Sequence, residues 1–178
     1  MTTRPRVTLM LPGEWTRLAW ADERQSRTLR VALVEGGAGD DAAAATVASI
    51  DAELATVQRA GGDQALLRVG SQEPTLLLTS WPDQWPCRTV ADLRALAPDD
   101  ASVTVLEHQR GYPSVRLERT DAPEGTVLRT YWVANPDSGR LHVVDVTFFG
   151  TAFPAEHLEL YDLLATTLHW TESEDVAS

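Results

Sequence analysis

Residues 102–149 decide the fold, and they read SVTVLEHQRGYPSVRLERTDAPEGTVLRTYWVANPDSGRLHVVDVTFF. Apolar residues recur at every second position through most of this stretch, and clusters of turn residues interrupt it at 110–113, 121–125 and 135–139. A period of two is typical of strands that present one face to a core and the other to water or a polar layer. The stretch therefore predicts four consecutive antiparallel strands.

The last of these strands, residues 141–149, is apolar on both faces, which predicts a central position in the sheet. Asp145 lies within it, and a carboxylate in an apolar strand is costly unless it is paired. We expect Arg129 or Arg116, on a neighbouring strand, to pair with Asp145. The alternative is a ligand-binding or catalytic role, in which Asp145 forms an acid–base pair with His108. The simpler expectation for His108 is a solvent-exposed position near a strand end.

Two helices are predicted in the first third of the chain. Asp22, with a glutamine three residues later, resembles an amino-terminal cap and predicts a helix over 22–35. A second helix begins at Asp40 or Asp41 and ends at Gly61. Its apolar stripe recurs at helical spacing and consists of Val47, Ile50, Leu54 and Val57. We expect this stripe to form the core on one side of the sheet.

Two strands and a short helix are predicted between these helices and the four-strand stretch. Apolar runs at 65–69 and 75–81 indicate strands that are separated by a turn. Thr89, followed by Asp92 three residues later, forms a capping-box pattern. This pattern predicts a short helix that Pro98 ends.

Both ends of the chain are predicted to pack on this framework. Residues 7–11 alternate as a strand does, and we expect Pro12–Gly13 to turn the chain into a second apolar piece at 15–18. This pattern predicts an opening hairpin. A closing helix is expected from Pro154 to about Trp170. Its core side chains are predicted to be Tyr161, Leu164 and Leu168.

These elements together predict the fold class. We expect a single α+β domain over residues 1–170, followed by an acidic, frayed tail at 171–178. The predicted architecture is a central antiparallel sheet of about six to seven strands, flanked by helices as an α/β/α sandwich with a C-terminal helix.

Composition and charge favour a globular domain and argue against polyanionic partners. The chain has 178 residues, of which 43% are hydrophobic and 23% charged, as in ordinary globular domains. Fifteen basic residues stand against 26 acidic ones, and the net charge of −11 repels phosphate backbones and anionic lipid headgroups. We therefore expect no nucleic acid and no membrane among its partners. Every basic residue is an arginine, which we interpret as the coding bias of a high-GC bacterium.

The single cysteine, Cys87, excludes an intramolecular disulfide, and a reducing cytoplasm is the expected location. The adjacent Arg88 favours a thiolate, but a nucleophile also needs a base, which the sequence does not identify. We therefore expect a small thiol that is buried or semi-buried.

The sequence contains no recognisable metal or cofactor motif, so we expect neither a metal nor a cofactor. No two of its four histidines have the i, i+4 spacing of a helical zinc site. These histidines are His108, His142, His157 and His169. The glycine-rich segment 36–40 precedes a helix, but it lacks the Lys-Ser/Thr pair of a phosphate-binding loop. We expect it to be a flexible connection between two helices.

Residues 81–86 read WPDQWP and connect a strand to the short helix. Prolines restrict the backbone around Trp81 and Trp85, so the two rings are candidates for a rigid partner-contact site. Alternatively, both rings fold back over the sheet edge and belong to the core.

The order of the elements resembles the PsbP-like fold. The residues that carry the resemblance are the opening Leu11-Pro12-Gly13-Glu14-Trp15 and the closing Leu168-His169-Trp170. That fold is shared by photosystem II extrinsic subunits, a Ran-binding nuclear-import factor, some actinobacterial lipoproteins and bacterial secretion adaptors. The helical insert at 22–60 is longer than the family leads us to expect. No family binding motif matches residue by residue, so no contact residue is carried over.

Two classes of function follow. The resemblance implies a non-enzymatic protein-binding module, an adaptor or chaperone-like protein whose partner is another protein. A small-molecule-binding domain of the helix-grip type is the alternative, because a curved antiparallel sheet closed by a C-terminal helix describes that architecture as well. A closed apolar pocket favours a ligand, whereas a packed core with an exposed aromatic patch favours a protein partner. Self-association into a homodimer stays open.

Overall fold

The computed structural model of the protein describes residues 6–9, 11, 13–20, 22–69, 74–82, 86–118, 126–150 and 155–171. The strands are β1 (Arg6–Thr8), β2 (Thr16–Arg17), β3 (Gly62–Arg68), β4 (Thr75–Ser80), β5 (Ser102–Val105), β6 (Ser114–Glu118), β7 (Val127–Ala134), β8 (Leu141–Phe148) and β9 (His169–Thr171). The helices are α1 (Glu23–Glu35), α2 (Asp40–Arg59), α3 (Val90–Leu96) and α4 (Ala155–Thr167).

Seven of the strands form one antiparallel sheet in the order β2-β3-β4-β8-β7-β6-β5. Its second half is the predicted run of four consecutive strands, each paired with the next along the chain. β8 lies in the centre, between β4 and β7, and seven of its eight residues are buried. The prediction of an α+β fold, with helices flanking an antiparallel sheet, is confirmed.

Side chains alternate between the two faces of the sheet, and helices cover both faces. On one face, which we call the front face, α2 packs Ile50 and Leu54 against Leu76 and Leu78 of β4. Further along the same face, α3 packs Leu93 against the apolar side chains of β6, β7 and β8. The predicted stripe of α2 therefore forms the core, although Val57 at its end is only half-buried.

The opposite face, which we call the back face, is covered by α4 and by a separate two-stranded ribbon of β1 and β9. Tyr161, Leu164 and Leu168 pack here against Tyr131 and Val144. The two predicted halves of the core thus lie on opposite faces of one sheet.

Local chemistry sets the helix boundaries. Asp22 Oδ1 accepts a hydrogen bond from the Arg24 N–H at 2.9 Å and caps α1. Thr89 and Asp92 form the predicted capping box at the start of α3. Gly61, after α2, has a φ of +87°, and a Cβ there would lie 2.6 Å from the Trp81 carbonyl oxygen. This turn therefore requires glycine.

The predicted opening hairpin is wrong. β1 pairs with β9 at the other end of the chain, and β2 pairs with β3 at the edge of the main sheet. Alternating residues predict a strand but do not specify its partner, and the partner of β1 lies more than 150 residues away.

The closing helix ends earlier than predicted. α4 stops at Thr167, and residues 169–171 form β9 instead of a last helical turn. Leu168 and Trp170 both pack on the back-face core, and their spacing of two residues fits a strand. Pro154, the predicted start of the helix, and the tail beyond residue 171 lie outside the described residues.

Candidate functional site

The sheet ends in two edges of unequal length. β2 forms one edge with only two residues, whereas β5 forms the other with four. Among the described residues, β5 pairs with β6 alone. An open edge is a template for another strand, and natural proteins commonly blunt it with charge, proline or a bulge. β5 has the sequence Ser-Val-Thr-Val and an uninterrupted register, so its four residues contain no charge, proline or bulge.

Two residues of β5 direct their main-chain groups away from the sheet. The Leu106 N–H donates to the Ser114 carbonyl at 3.0 Å, which continues the β5–β6 register as a hydrogen-bonded pair. Such pairs alternate along an antiparallel ladder, so Thr104 is the next β5 residue that bonds to β6. The N–H and C=O groups of Val103 and Val105 therefore point outwards.

The side chains of the same two valines lie on the front face, opposite Leu117 and Val115 of β6. Val103 packs against the apolar cluster beneath α3 and is half-buried, whereas Val105 is 42% exposed. The edge thus combines main-chain groups that have no strand partner among the described residues with an apolar margin of the core.

Acidic side chains flank this edge. Asp99 and Asp100 precede β5, Glu107 follows it, and all three are exposed. Of the arginines nearest in sequence, Arg94 lies on α3. Arg110 belongs to the turn in which its N–H donates to His108. Acidic side chains therefore lie near both ends of the strand, and Arg110 is the exposed arginine that follows Glu107 three residues later.

Trp81 is not part of an exposed aromatic surface. Trp81 is 5% exposed, and its ring lies 4.5 Å from the ring of His142 and 4.8 Å from that of Trp170, measured between centroids. For Trp81, the interpretation of a ring that folds into the core is the correct one. Trp85 lies outside the described residues, and its role as a contact residue stays a prediction.

The predicted pair between Asp145 and Arg129 is wrong, because the register places the two side chains on opposite faces. Thr130 is the residue opposite Asp145, and its hydroxyl donates to Asp145 at 2.6 Å on the front face. Arg129 is one residue away from Thr130 and therefore points to the back face, where it pairs with Glu118.

Arg116, the other predicted partner of Asp145, also lies on the back face. It pairs with Asp162 of α4 and, at 3.1 Å, with Glu118. The Tyr131 hydroxyl donates to Asp162 at 3.1 Å, and burial, followed by the Asp162 charge, raises the pKa of Tyr131. This network joins α4 to β6 and β7, so its geometry is that of a structural brace.

A second polar group on the front face was not foreseen. Glu53 of α2 accepts a hydrogen bond from the Thr147 hydroxyl at 2.7 Å. Burial raises the pKa of Glu53, the Thr147 hydrogen bond lowers it, and the charge of Asp145 raises it. Glu53 lies three residues after Ile50 in the buried stripe, and this spacing was the signal in the sequence that it faces the sheet.

His108 is not exposed, and it does not meet Asp145. It lies in the connection after β5, is 6% exposed, and packs on the back face against Tyr112. Its Nδ1 accepts from the Arg110 N–H at 3.0 Å, so Nε2 carries the proton and donates to the Leu168 carbonyl at 3.0 Å. Burial lowers the pKa of His108. Through these two hydrogen bonds, the neutral ring joins the β5–β6 connection to the residue that follows α4.

Cys87 is fully buried in the cluster beneath α3. Burial and, to a smaller extent, the charge of Asp92 raise the pKa of its thiol. A raised pKa disfavours the thiolate, and the prediction that the thiol is buried is confirmed. Within the described ranges, no three His, Cys, Asp or Glu side chains gather as a metal site requires.

The glycine-rich segment 36–40 connects α1 to α2, as predicted. Arg30 of α1 pairs with Asp40 beside this connection, and both side chains are largely exposed. Together with Val31, Val34 and Glu35 they line a shallow groove of about 200 Å³. The groove is open, unlike the enclosed sites that hold small ligands. No helix in the described part of the chain is long and apolar enough to cross a bilayer.

The chain matches no protein-family model, no curated protein and no solved structure. The resemblance to the PsbP-like fold therefore stays a prediction.

Proposed function

We propose that the protein is a non-enzymatic protein-binding module, adaptor-like or chaperone-like, that receives an extended segment of another protein along the free edge of β5. The observation that carries this proposal is the unprotected edge itself: four uncharged residues without proline or bulge, at the end of a seven-stranded sheet. We propose the reducing cytoplasm as its location, because its one cysteine is a buried thiol.

Strand addition suits this edge for two reasons. Val103 and Val105 supply main-chain donors and acceptors, which bind any extended segment regardless of its side chains. The exposed side chain of Val105 adds an apolar surface that an incoming strand covers, and burial of such a surface favours association. The resemblance to the PsbP-like fold points to the same class of function, because its known members mostly bind other proteins.

The test compares substitutions at Val105. Val105→Pro removes an outward N–H that β6 does not use, so the fold is retained while an added strand is blocked. Val105→Thr keeps the N–H and the branched side chain and is the matched control. Capture from an extract of the native cells, quantified by mass spectrometry, should lose the specific partner about tenfold with Val105→Pro and retain it with Val105→Thr.

Thermal midpoints show whether each variant is folded. If Val105→Pro unfolds, Val105→Lys replaces it, because a charge on an edge strand blunts pairing without removing a ladder bond. Recovery of the same proteins at the wild-type level by the folded, edge-blocked variant would contradict the proposal.

A small-molecule-binding domain of the helix-grip type remains the second candidate. It is favoured by the half-buried polar group on the front face, where Glu53, Thr147, Asp145 and Thr130 offer two carboxylates and two hydroxyls. Such a group suits a ligand with hydroxyl or amine donors. A ligand that raises the thermal midpoint of the wild type but not of Asp145→Asn would support this function over strand addition.

A further inference from the structure

We infer that the segment received by β5 is basic at both ends and carries two apolar residues, two positions apart, at its centre. This inference rests on the proposed function and specifies the chemistry of the partner.

The apolar centre follows from the alternation of the edge. Val103 and Val105 both place their side chains on the front face, beside the cluster under α3. A strand added to β5 continues the pleat, so its residues opposite these valines also lie on the front face. Ser102 and Thr104 lie on the back face, so the residues of the added strand opposite them need not be apolar. An apolar-polar-apolar centre therefore matches the edge.

The basic ends follow from the charges that flank the strand. Asp99 and Asp100 lie beyond one end and Glu107 beyond the other, so a parallel and an antiparallel segment both find an exposed carboxylate near each end. The net charge of −11 adds attraction at longer range. Complementary charge speeds encounter and suppresses partners of the wrong sign.

The same charges disfavour a second copy of this chain as the occupant. Two β5 strands paired antiparallel about a two-fold axis bring Asp99 and Asp100 of one copy close to Glu107 of the other. Two proteins of charge −11 also repel one another before they meet. A basic segment of a different protein satisfies both constraints.

The experiment uses the full-length protein and three synthetic peptides. Acetyl-KRTVTVTRK-amide carries the proposed pattern, acetyl-EETVTVTEE-amide reverses its end charges, and acetyl-KRTVPVTRK-amide keeps the charge but breaks the strand. Binding is followed by the amide chemical shifts of β5 in an NMR titration. We expect the first peptide to shift Val103 and Val105 and to bind about tenfold or more tightly than the other two at low salt.

Protein variants identify the source of the preference. Asp99→Asn, Asp100→Asn and Glu107→Gln, combined in one protein, should reduce the difference between the basic and the acidic peptide to within about twofold. Val105→Pro should abolish binding of both.

Several results would overturn the inference. These are equal binding of the acidic peptide, equal binding of the strand-breaking peptide, shifts confined to residues outside β5, and absence of binding. Concentration-dependent β5 shifts without any peptide would identify a second copy as the occupant and would also overturn it. The proposed function fails separately, if the edge-blocked variant still captures the native partner.

Discussion

His142 is completely buried against the rings of Trp81 and Trp170, and neither of its ring nitrogens has a hydrogen-bond partner among the described residues. Burial lowers its pKa from 6.5 to about 3, so the folded protein holds the ring neutral. In the unfolded chain the ring titrates normally. Stability is therefore unaffected above pH 6.5 and falls below it, because only the unfolded state gains the proton.

The substitution His142→Phe tests this dependence. Between pH 7.5 and pH 5.5, the wild type should lose about 1.4 kcal/mol more unfolding free energy than the variant. The variant has no imidazole at this position, so it lacks the group that is protonated only in the unfolded state. Phenylalanine keeps the aromatic contacts and removes two polar atoms, so the variant should also be at least as stable at pH 7.5. The measurement is chemical denaturation at both pH values. Parallel pH dependences in the two proteins would show that His142 is not held neutral by the fold.

The strand register must be known to within one residue before the face of a side chain can be assigned. For this reason the polar contacts could not be predicted from the sequence. The sequence showed that Asp145 needs a partner and that arginines lie on neighbouring strands. It did not show that Thr130, and not Arg129, stands opposite Asp145. A shift of one residue moves a side chain to the other face of the sheet. The structure accordingly places Asp145 in the front-face group and Arg129 in the back-face brace.

At the scale of elements, the connections that are short along the chain were predictable. The pairs β5–β6, β6–β7 and β7–β8 each join consecutive strands, and turn residues mark their boundaries in the sequence. The capping box of α3 is equally local. The pairing of β1 with β9 spans nearly the whole chain, and neither segment contains a sequence feature that identifies the other as its partner. The edge position of β5 was also not predicted, because alternation does not give strand order.

The connection between β4 and α3 provides a prediction at this scale, because it contains both tryptophans of WPDQWP. Trp81→Ala removes a buried ring and should lower the unfolding free energy by about 3–5 kcal/mol. Under the contact-site hypothesis, Trp85→Ala should leave the thermal midpoint nearly unchanged while weakening partner capture. Thermal denaturation and quantitative capture measure the two effects. A loss of stability in Trp85→Ala as large as that in Trp81→Ala would assign both rings to the core.

At the scale of the whole molecule, the two faces and the two edges of the sheet have different roles. The front face carries α2, against which α1 packs, and α3, whereas the back face carries α4 with the β1–β9 ribbon. One edge is two residues long, whereas β5 leaves the main-chain groups of Val103 and Val105 without partners among the described strands. With a net charge of −11, the molecule favours a basic partner at that edge.

Hydrogen exchange of the β5 amides, followed by NMR, tests the free edge most directly. In the free protein we expect the Val103 and Val105 amides to exchange rapidly and the Thr104 amide slowly, because Thr104 is the one of these three residues whose N–H donates to β6. In the complex with the captured partner, or with acetyl-KRTVTVTRK-amide, all three should be protected. Slow exchange at Val103 and Val105 in the free protein, or fast exchange that persists in the complex, would contradict the account.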